Sequence, residues 1–563
     1  MDQDRSAEVV REALRELRLL KQQVAGQRAP AAVVGVSVRL PGGLTTLDAT
    51  WDRLASGEPV WGPPPASRRD DGVPDAVAGW LDDVAGVDLD RLGLPADAAR
   101  LTDPQGRLLL EGAATVLAQA GVAEGEGRCA VVVGHDQTGW EARTLRGGHL
   151  GHPHASLGSF GGALATRIAH RFDLRGPALT VDASCAGGLS AAHLALGLLR
   201  ARQCDLALVG AASVLVDPVL HAHYAALGLL DDQLRPLASD GAGYVRAEGC
   251  VVLLLQRLDD AVAQGRPVLG VLEGSAVAGP GRTVALGAPS ARQHAEVAAA
   301  ALQDAGVDVD AVGALEVHGI GSAVADALEL QGLGEAYGAR GAPLPVGATK
   351  GVLGHTEAAS GLVGLVAALL MVSRGRALPT PVPERPLDVL GTHWTLRRDA
   401  LLAPEARVAV HAYGMTGQAA HAVVAPAPAS APRGDWDPLP WARTRCWPEE
   451  GAPPSREDPE GLLRGWLAEI LGDGRALAAD VPLAWQGVDS IALTALQARM
   501  TRELGVDRAR FDAARAWDLR GLAALVRAEE EAAEAGAVVP LVAAGLVAGL
   551  ALLVASWLGL LGA

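Results

Sequence analysis

Short hydrophobic runs bounded by glycine alternate with longer helical patterns along most of the chain. The runs AAVVGVSV (31–38), CAVVVG (129–134) and LTVDAS (179–184) predict strands. Segments between these runs, such as 103–120, have the pattern of a helix. Further strands are predicted at 205–213, 249–256, 270–277, 313–319 and 408–414. Strands that alternate with helices are typical of an α/β fold with mostly parallel sheets.

The pattern changes near residue 425, where proline, alanine and serine become frequent. Stretches rich in these residues predict a linker over 426–457. Helical periodicity returns in GLLRGWLAEILG (461–472) and LRGLAALVRAEE (519–530). The pattern therefore predicts a large α/β domain at 29–425 and a small helical domain at 458–534.

The N-terminal residues 1–28 are charged and helical in pattern. Val10, Leu17 and Val24 lie seven positions apart, which is the repeat of a coiled coil. Such a short repeat is marginal alone and gains stability in a dimer. Two interpretations stay open, namely a docking or dimerising coiled coil and a solvated helix that packs on its own domain.

The last residues, 536–563, carry no charged side chain and are rich in Leu, Val and Ala. As a helix they would span about 42 Å at 1.5 Å per residue, enough to cross a hydrocarbon core of about 30 Å. The alternative is a buried core helix. We expect a single-pass C-terminal membrane anchor. The catalytic part is expected on the cytoplasmic side, because no residues follow the span and the N-terminus lacks a secretory signal.

Composition and charge narrow the classes of function. The 563 residues are 49% hydrophobic and 20% charged, which fits a chain of several globular domains. The net charge is −17 and no basic stripe is visible, so we expect no nucleic-acid partner. The cysteines form no CxxC pair, which argues against a disulfide framework and a metal site.

Cys185 is the first candidate for chemistry. It lies in ASCAGG (183–188), at a turn between a predicted strand and a helix of small residues. The dipoles at a helix N-terminus favour the thiolate, so we expect a lowered pKa for this thiol. The alternative is an inert buried cysteine that acts as a small hydrophobic residue.

Two histidines lie in glycine-rich turns of the same kind. His318 is in EVHGIGS (316–322) and His355 is in GHTEAASG (354–361). Lys350 lies five positions before His355, and apart from Lys21 it is the only lysine of the chain. Lone histidines are often core residues with satisfied hydrogen bonds. A nucleophilic cysteine with histidines brought near by the fold is, however, the usual arrangement for thiol acyl transfer.

Residues 31–424 resemble a β-ketoacyl synthase (ketosynthase) domain of modular polyketide synthases. The resemblance rests on the opening strand and loop, LTDPQGRLLLEGA (101–113), the segment around Cys185, RPLASDGAGYVRAEGC (235–250) and the two histidine motifs, all in the same order. It implies a thiolase-like, layered αβαβα fold, followed here by a small α-helical carrier bundle and the C-terminal membrane helix.

The resemblance also implies roles for the candidate residues. Cys185 would accept an acyl chain from a carrier thioester. His318 and His355 would assist decarboxylation of a malonyl-type extender and stabilise the enolate, and Lys350 would orient and electrostatically support the histidine pair. The N–H of Cys185 and one N–H from the loop 413–417 would form the oxyanion hole.

Some positions depart from the family pattern. The family reads TACSSS where this chain has ASCAGG, and HGTGT where it has HGIGS (318–322). Ile320 therefore lacks a hydroxyl that the family offers to the substrate arm, whereas Ser322 keeps one. Met415, followed by Thr416, replaces a gating phenylalanine in the oxyanion loop. These changes affect the substrate and the gating rather than the Cys–His–His–Lys set.

GVDSIAL (487–493) resembles the motif of acyl carrier proteins, in which a serine at a helix N-terminus carries 4′-phosphopantetheine. Ser490 is the matching residue. The alternative is a simple helix cap, since Asp489 and Ser490 are both good capping residues. The carrier interpretation implies a phosphopantetheinyl transferase as partner.

The segment between the two domains has no room for an acyltransferase. We therefore expect a separate acyltransferase to load the malonyl group in trans, and acyl and malonyl-type thioesters as substrates. The predicted function is condensation by a homodimeric, membrane-tethered synthase with its own carrier domain. The alternatives are acyl transfer between carriers without elongation, and a non-catalytic membrane scaffold for the carrier domain.

Overall fold

The computed structural model describes residues 28–146, 153–338, 340–390, 393–448, 459–471, 477–479, 481–488, 490–504, 506, 511 and 518–534. They fall into two compact units, the first within 1–146 and 157–448 and the second within 147–156 and 449–563. The predicted membrane helix at 536–563 and the predicted N-terminal helix, except for Arg28, lie outside the described residues. Both stay predictions.

The strands of the first unit agree closely with the apolar runs of the sequence. They are β1 (Ala31–Arg39), β2 (Gly86–Val87), β3 (Cys129–His135), β4 (Ala178–Asp182), β5 (Leu206–Ser213), β6 (Gly249–Arg257), β7 (Gly270–Ala278), β8 (Val312–Glu316), β9 (Leu344–Gly347), β10 (Arg376–Ala377), β11 (Trp394–Leu396), β12 (Ala400–Leu401), β13 (Arg407–Tyr413), β14 (Ala419–Pro426) and β15 (Thr444–Arg445).

Helices fill most of the segments between the strands. Those of the first unit are α1 (Leu47–Ser56), α2 (Leu89–Leu92), α3 (Ala96–Leu101), α4 (Pro104–Gln119), α5 (Trp140–Arg146), α6 (Pro153–Ser159, which crosses the boundary between units), α7 (Gly161–Arg171), α8 (Gly187–Arg200), α9 (Pro218–Ala226), α10 (Leu258–Ala263), α11 (Ala291–Ala305), α12 (Ala323–Tyr337), α13 (Lys350–Leu353) and α14 (Ser360–Arg374).

One 11-stranded sheet runs through the first unit in the order β11-β9-β8-β13-β14-β7-β1-β6-β5-β3-β4. It consists of two halves with equivalent order, β4-β3-β5-β6-β1 and β9-β8-β13-β14-β7, and β11 extends the second half. The outer strands of each half pair in parallel, whereas β6, β1, β7 and β14 pair antiparallel. The prediction of mostly parallel sheets is therefore wrong for the centre of the sheet.

Two buried helices, α8 and α14, lie between the halves and contact strands of both. Their side chains share one hydrophobic core with alternate residues of β1, β5 and β13. On the outer faces, α4 and α7 pack against the first half, while α11 and α12 pack against the second. This gives alternating helix and sheet layers, the αβαβα arrangement that the resemblance implies.

Among the described residues, one helical stretch is long and apolar enough to cross a membrane. This stretch is Glu357–Arg374, which includes α14, and 89% of it is buried inside the protein.

The second unit contains three longer helices, α15 (Pro459–Leu471), α16 (Ser490–Leu504) and α17 (Leu519–Glu534). Each contributes apolar residues to one small core, among them Leu463, Trp466, Leu496 and Leu522. The predicted helical bundle is therefore present among the described residues of this unit.

Candidate active site

Cys185 lies where the first half of the sheet meets the buried helix layer. Strand β4 ends at Asp182, a 3-10 turn covers Ser184–Ala186, and α8 begins at Gly187. Ser184 has a left-handed φ of 49°, a conformation that costs energy for a residue with a side chain. This sharp turn places the Cys185 thiol at the start of α8, as the sequence predicts.

The electrostatics of Cys185 differ from the expectation. Burial, together with the negative charges of Asp136 and Glu357, raises the pKa of its thiol to about 12. Hydrogen bonding with Ser184 and the charge of Lys350 act in the opposite direction, but their effect is smaller. The predicted lowering of this pKa is therefore wrong, because burial outweighs the helix N-terminus. The resting group is therefore a thiol rather than a thiolate.

Asp136 is a neighbour that the sequence did not reveal. Its carboxylate Oδ2 lies 3.1 Å from Ser184 Oγ, which is itself 3.7 Å from Cys185 Sγ. Burial, together with the charge of Glu357, raises the pKa of Asp136 to about 6. Asp136 directly follows β3, and this position after a strand end was the only available signal.

His318 and His355 come together although 37 positions of the chain separate them. Their rings are nearly perpendicular, at 85°, with centroids 5.4 Å apart. Burial lowers the pKa of both imidazoles well below the usual range, and the nearby charge of Lys350 lowers it further. Both rings are therefore neutral at pH 7.

The hydrogen bonding of His318 assigns its tautomer. The backbone N–H of Tyr413 donates to His318 Nδ1 at 3.3 Å. Because Nδ1 accepts, the single proton of the neutral ring is on Nε2. His318 thus presents an N–H donor, which suits the stabilisation of negative charge that develops on an oxygen atom.

Lys350 is buried next to the backbone of His318. Its Nζ donates to the backbone oxygen of His318 at 2.6 Å. Burial lowers the pKa of this ammonium, while the charges of Glu316 and Glu329 raise it. The lysine therefore contacts the main chain of His318 rather than either imidazole ring.

Two acids of α12 hold the loop that carries His318. Glu329 accepts from the backbone N–H groups of His318 at 2.6 Å and Gly319 at 2.9 Å. Asp326 accepts from those of Ile320 at 2.9 Å and Gly321 at 3.2 Å. The sequence analysis missed both acids, although their spacing of three positions on a helix directly after HGIGS was a usable signal.

A buried ion pair supports the loop of His355. Arg246 donates through Nε and Nη2 to the two carboxylate oxygens of Glu357, at 2.5 Å and 3.1 Å. The backbone N–H of His355 donates to Val245 O, and that of Ala247 donates to His355 O, both at 2.8 Å. The ion pair thus joins the segment around residue 246 to the turn that begins α14.

Cys185, His318 and His355 all line one cavity of about 240 Å³. Ser322 and Met415 also line it, as does Ile320, so these predicted substrate-arm residues share the cavity. Thr416 is exposed and does not belong to the lining. The cavity therefore brings together Cys185, His318, His355, Ser322 and Met415. Thr416 and Lys350 do not line it, and Lys350 instead bonds to the backbone oxygen of His318. Ser490 belongs to the second unit.

The loop 413–417 packs closely against the turn of Cys185. A Cβ at Gly414 would lie 2.3 Å from Ala183 O, so only glycine allows this approach. The N–H groups of Tyr413, Gly414 and Gly417 all have acceptors nearby. Among the described residues, no acceptor is found for the N–H of Met415 or of Thr416. Of these two residues only Met415 lines the cavity, which makes its N–H the candidate donor of the oxyanion hole.

In the second unit, Ser490 is the first residue of α16, a 15-residue helix. The positive end of a helix dipole suits the phosphate of a phosphopantetheine ester. Val488 is buried, whereas Ile491 is 68% exposed. The position of Ser490 therefore fits the attachment of this cofactor, while the neighbouring Asp489 lies outside the described residues.

Comparison with known proteins agrees with this geometry. The family model "Beta-ketoacyl synthase, N-terminal domain" matches residues 28–261, and "Beta-ketoacyl synthase, C-terminal domain" matches 269–382. A third model, "Phosphopantetheine attachment site", matches residues 462–528, a range that includes Ser490.

Individual relatives point the same way. A mycocerosic acid synthase-like polyketide synthase of Mycobacterium tuberculosis is 35% identical over 437 residues, which are 72% of this chain and 20% of that protein. The chain thus spans about a fifth of the length of such curated relatives.

Solved structures share the fold. The oxazolomycin ketosynthase domain KS7 of Streptomyces albus JA3453 has a TM-score of 0.67 at 29% identity, and covers 71% of this chain and 75% of its own. The ketosynthase from module 6 of the bacillaene synthase of Bacillus subtilis 168 has a TM-score of 0.64 at 26% identity, and covers 70% and 72%. The chain therefore belongs to the β-ketoacyl synthases of the polyketide synthase family, and it carries a phosphopantetheine-binding carrier domain after the thiolase-like synthase domain.

Proposed function

We propose that this chain catalyses a decarboxylative Claisen condensation between an acyl group on Cys185 and a malonyl-type extender on a carrier domain. The observation that carries the proposal is the convergence of Cys185, His318 and His355 on one cavity, with His318 as a neutral N–H donor. Decarboxylation generates a carbanion without a strong base, so neutral donors and a thioester electrophile suffice for the reaction.

In the first stage, the sulfur of Cys185 attacks an acyl thioester. The new Cys185 thioester forms, the bond to the carrier sulfur breaks, and the proton of the Cys185 thiol passes to that sulfur. The high pKa of this thiol means that its proton leaves during the attack rather than before it. The N–H groups of Cys185 and Met415 stabilise the negative oxygen of the tetrahedral intermediate.

In the second stage, the malonyl carboxylate leaves as carbon dioxide and its electron pair forms an enolate. His318 Nε2–H and His355 hydrogen-bond to the enolate oxygen, and Lys350 holds the backbone of His318 in place. The enolate carbon attacks the acyl carbonyl and displaces the Cys185 thiolate, which takes a proton from solvent. The product is a β-ketoacyl thioester that is two carbons longer.

The test follows the carrier by intact mass spectrometry. The full chain in detergent receives phosphopantetheine on Ser490, an acyl donor and a separate malonyl-loading enzyme, with Cys185→Ala as control. We expect a β-ketoacyl species on Ser490 that is absent from the control. If Cys185 acylates and the acyl group moves to the carrier unchanged, transfer without elongation is the function. If Ser490 loads but Cys185 never acylates with several donors, the chain is a non-catalytic scaffold.

The attachment of 4′-phosphopantetheine at Ser490 is part of this proposal, with a phosphopantetheinyl transferase as the modifying partner. When attached, the group supplies the thiol that carries acyl chains as thioesters. We assign malonyl loading to an acyltransferase in trans, because the segment 426–457 is too short to hold one. Ser490→Ala is expected to abolish the mass increase of the carrier without affecting acylation of Cys185.

A homodimer through strand β4 also belongs to the proposal. This strand is at one end of the sheet and pairs only with β3 among the described residues. Leu179 on this strand is 45% exposed, and Phe160, directly before the helix α7 that packs against β4, is 54% exposed. An edge of this kind invites pairing with a second copy. Light scattering should give twice the chain mass, and Leu179→Lys should shift it toward the monomer.

Finally, we propose that residues 536–563 tether the chain to a membrane as a single span, with the catalytic part in the cytoplasm. The support is the uncharged length of this segment in the sequence. The full chain should sediment with membranes, and a variant that lacks 536–563 should stay in the supernatant. Equal sedimentation of both would refute the anchor.

A further inference from the structure

Three buried histidines and a tyrosine form a chain of hydrogen bonds that ends at the cavity. Tyr337 Oη lies 2.9 Å from His421 Nε2, and His421 Nδ1 lies 3.1 Å from His411 Nδ1. His411 Nε2 then lies 2.9 Å from His294 Nδ1. His294 lines the same cavity as Cys185 and His318. None of these four residues has a role in the reaction described above.

All three histidines in this series of hydrogen bonds are neutral. Burial lowers the pKa of His294 to about 4 and that of His421 to about 3. Burial also lowers the pKa of His411 well below the usual range, and neighbouring histidines lower it further. A neutral imidazole donates through one nitrogen and accepts through the other. The whole chain of hydrogen bonds therefore points in one of two directions.

Tyr337 decides the direction. It is 1% exposed, and among the described residues the hydrogen-bond partner of its hydroxyl is His421 alone. If His421 donated to Tyr337, the hydroxyl proton would be buried without an acceptor, which is unfavourable. Tyr337 therefore donates to His421, which donates to His411, which donates to His294.

In this direction His294 Nδ1 accepts from His411, so the ring proton of His294 is on Nε2. His294 is 1% exposed, and its Nε2 has no hydrogen-bond partner among the described residues. The ring also lies against Tyr413, with centroids 5.1 Å apart, and the N–H of Tyr413 binds His318. The cavity wall thus holds a preoriented donor next to the proposed catalytic histidine.

We propose that His294 Nε2–H donates a hydrogen bond to a substrate oxygen outside the thioester group itself, a hydroxyl or an amide carbonyl, and so selects the substrate. The inference rests on the proposed function, because it assumes that acyl thioesters enter the cavity. The oxygen belongs either to the acyl chain, as a 3-hydroxy group, or to an amide of the pantetheine arm. Both offer the same neutral acceptor.

The experiment measures kcat/KM for acylation of Cys185 in the full chain. Four thioesters combine two acyl groups, 3-hydroxybutyryl and butyryl, with two arms, pantetheine and S-ethyl, the latter without an amide. The variants are His294→Leu, which removes the donor, and His294→Gln, which keeps an N–H donor. His193→Leu is the matched control, since His193 binds Ser275 at 3.0 Å and does not line the cavity.

We expect His294→Leu to lower kcat/KM about tenfold for the substrates that carry the recognised oxygen, the value of one hydrogen bond. A loss limited to the 3-hydroxybutyryl thioesters assigns the oxygen to the acyl chain. A loss limited to the pantetheine thioesters assigns it to the arm. His294→Gln should retain most of the selectivity, and His193→Leu should retain all of it.

Two results would overturn the inference. One is wild-type kcat/KM of His294→Leu with all four thioesters, and the other is an equal loss with all four, which includes butyryl S-ethyl thioester. Equal loss would show a purely structural role. Condensation is not needed for this readout, so failure of the proposed condensation with intact acylation leaves this test valid.

Tyr337, at the other end of this series of hydrogen bonds, provides a second measurement. Tyr337→Phe removes the donor that sets the direction of the hydrogen bonds, yet residue 337 does not line the cavity. We expect a loss of the same substrate selectivity, of roughly threefold, with unchanged kcat/KM for butyryl S-ethyl thioester. A loss common to all substrates would count against transmission of the donor direction from Tyr337 to His294.

Discussion

The two halves of the synthase sheet make the same turn for different chemistry. In the first half, a 3-10 turn begins at Ser184 with φ 49° and leads into α8. In the second half, a 3-10 turn begins at Glu357 with φ 43° and leads into α14. Both helices belong to the central layer between the halves.

The side chains at these turns differ completely. The first turn holds the thiol of Cys185 among carboxylates, while the second follows His355 and has Ala358 at the place of the cysteine. Likewise, Asp136 follows β3 and His318 follows the equivalent strand β8. In the proposed reaction, one half supplies the acyl acceptor and the other supplies neutral donors for the carbanion. The two halves share the backbone of the turn, and the residues placed on it would decide which stage of the reaction each half serves.

The largest expected effect comes from removing a proposed donor of the second half. His318→Ala should lower condensation about 10²–10³-fold, because it removes a donor aimed at developing charge. Acylation of Cys185 should stay close to wild type, so the acyl-enzyme accumulates. Intact mass spectrometry separates the two species. Loss of acylation in this variant would show that the histidine half also serves the first stage.

The second prediction concerns stability at the His355 turn. Arg246→Leu leaves the buried carboxylate of Glu357 without its partner and should destabilise the synthase by about 3–5 kcal/mol. Equilibrium urea unfolding measures the loss. The matched control is Arg292→Leu, which breaks the exposed pair with Glu296 and should leave stability close to that of the wild type. Equal losses would show that burial of the pair is unimportant.

These turns also show what the sequence could predict. Cys185, His318 and His355 stand in glycine-rich motifs at strand ends, so their neighbours along the chain already indicate chemistry. The strands themselves were visible as apolar runs, and all eight predicted strands are present. The similarity between the two halves of the sheet could not be seen in the sequence. It consists of the same strand order and the same backbone angles, adopted by different residues in each half.

Interactions between distant segments could not be predicted. Asp136 reaches Ser184 across 48 positions, and Glu357 reaches Arg246 across 111. The pKa of Cys185 depends on these carboxylates and on burial, which no local pattern reports. The helix N-terminus alone therefore predicted the wrong direction. The series of hydrogen bonds from Tyr337 to His294 could not be predicted either, because it joins residues of different strands and helices.

The third prediction tests how the carboxylate of Asp136 affects the pKa of the Cys185 thiol. Asp136→Asn removes a negative charge that raises the pKa of Cys185, so the thiolate becomes easier to form. Alkylation by iodoacetamide at pH 8 should accelerate up to about tenfold, equivalent to one pKa unit. Since the pKa of Asp136 is itself raised to about 6, the wild-type carboxyl is neutral below that pH. The rates of variant and wild type should therefore converge below pH 6, and a constant ratio at all pH values would contradict the electrostatic cause.

The smallest effect tests the backbone of the Cys185 turn. Ser184→Gly and Ser184→Ala both lose the hydroxyl that faces Asp136, but only glycine adopts φ 49° without steric cost. The glycine variant should therefore be more stable than the alanine variant by about 1 kcal/mol. At Ser190, inside α8, the order should reverse by a similar amount, about 1 kcal/mol, because alanine is the better helix former. If alanine is the more stable choice at both positions, the left-handed turn is not a source of strain, and the likeness between the two halves is one of shape without a shared energetic cost.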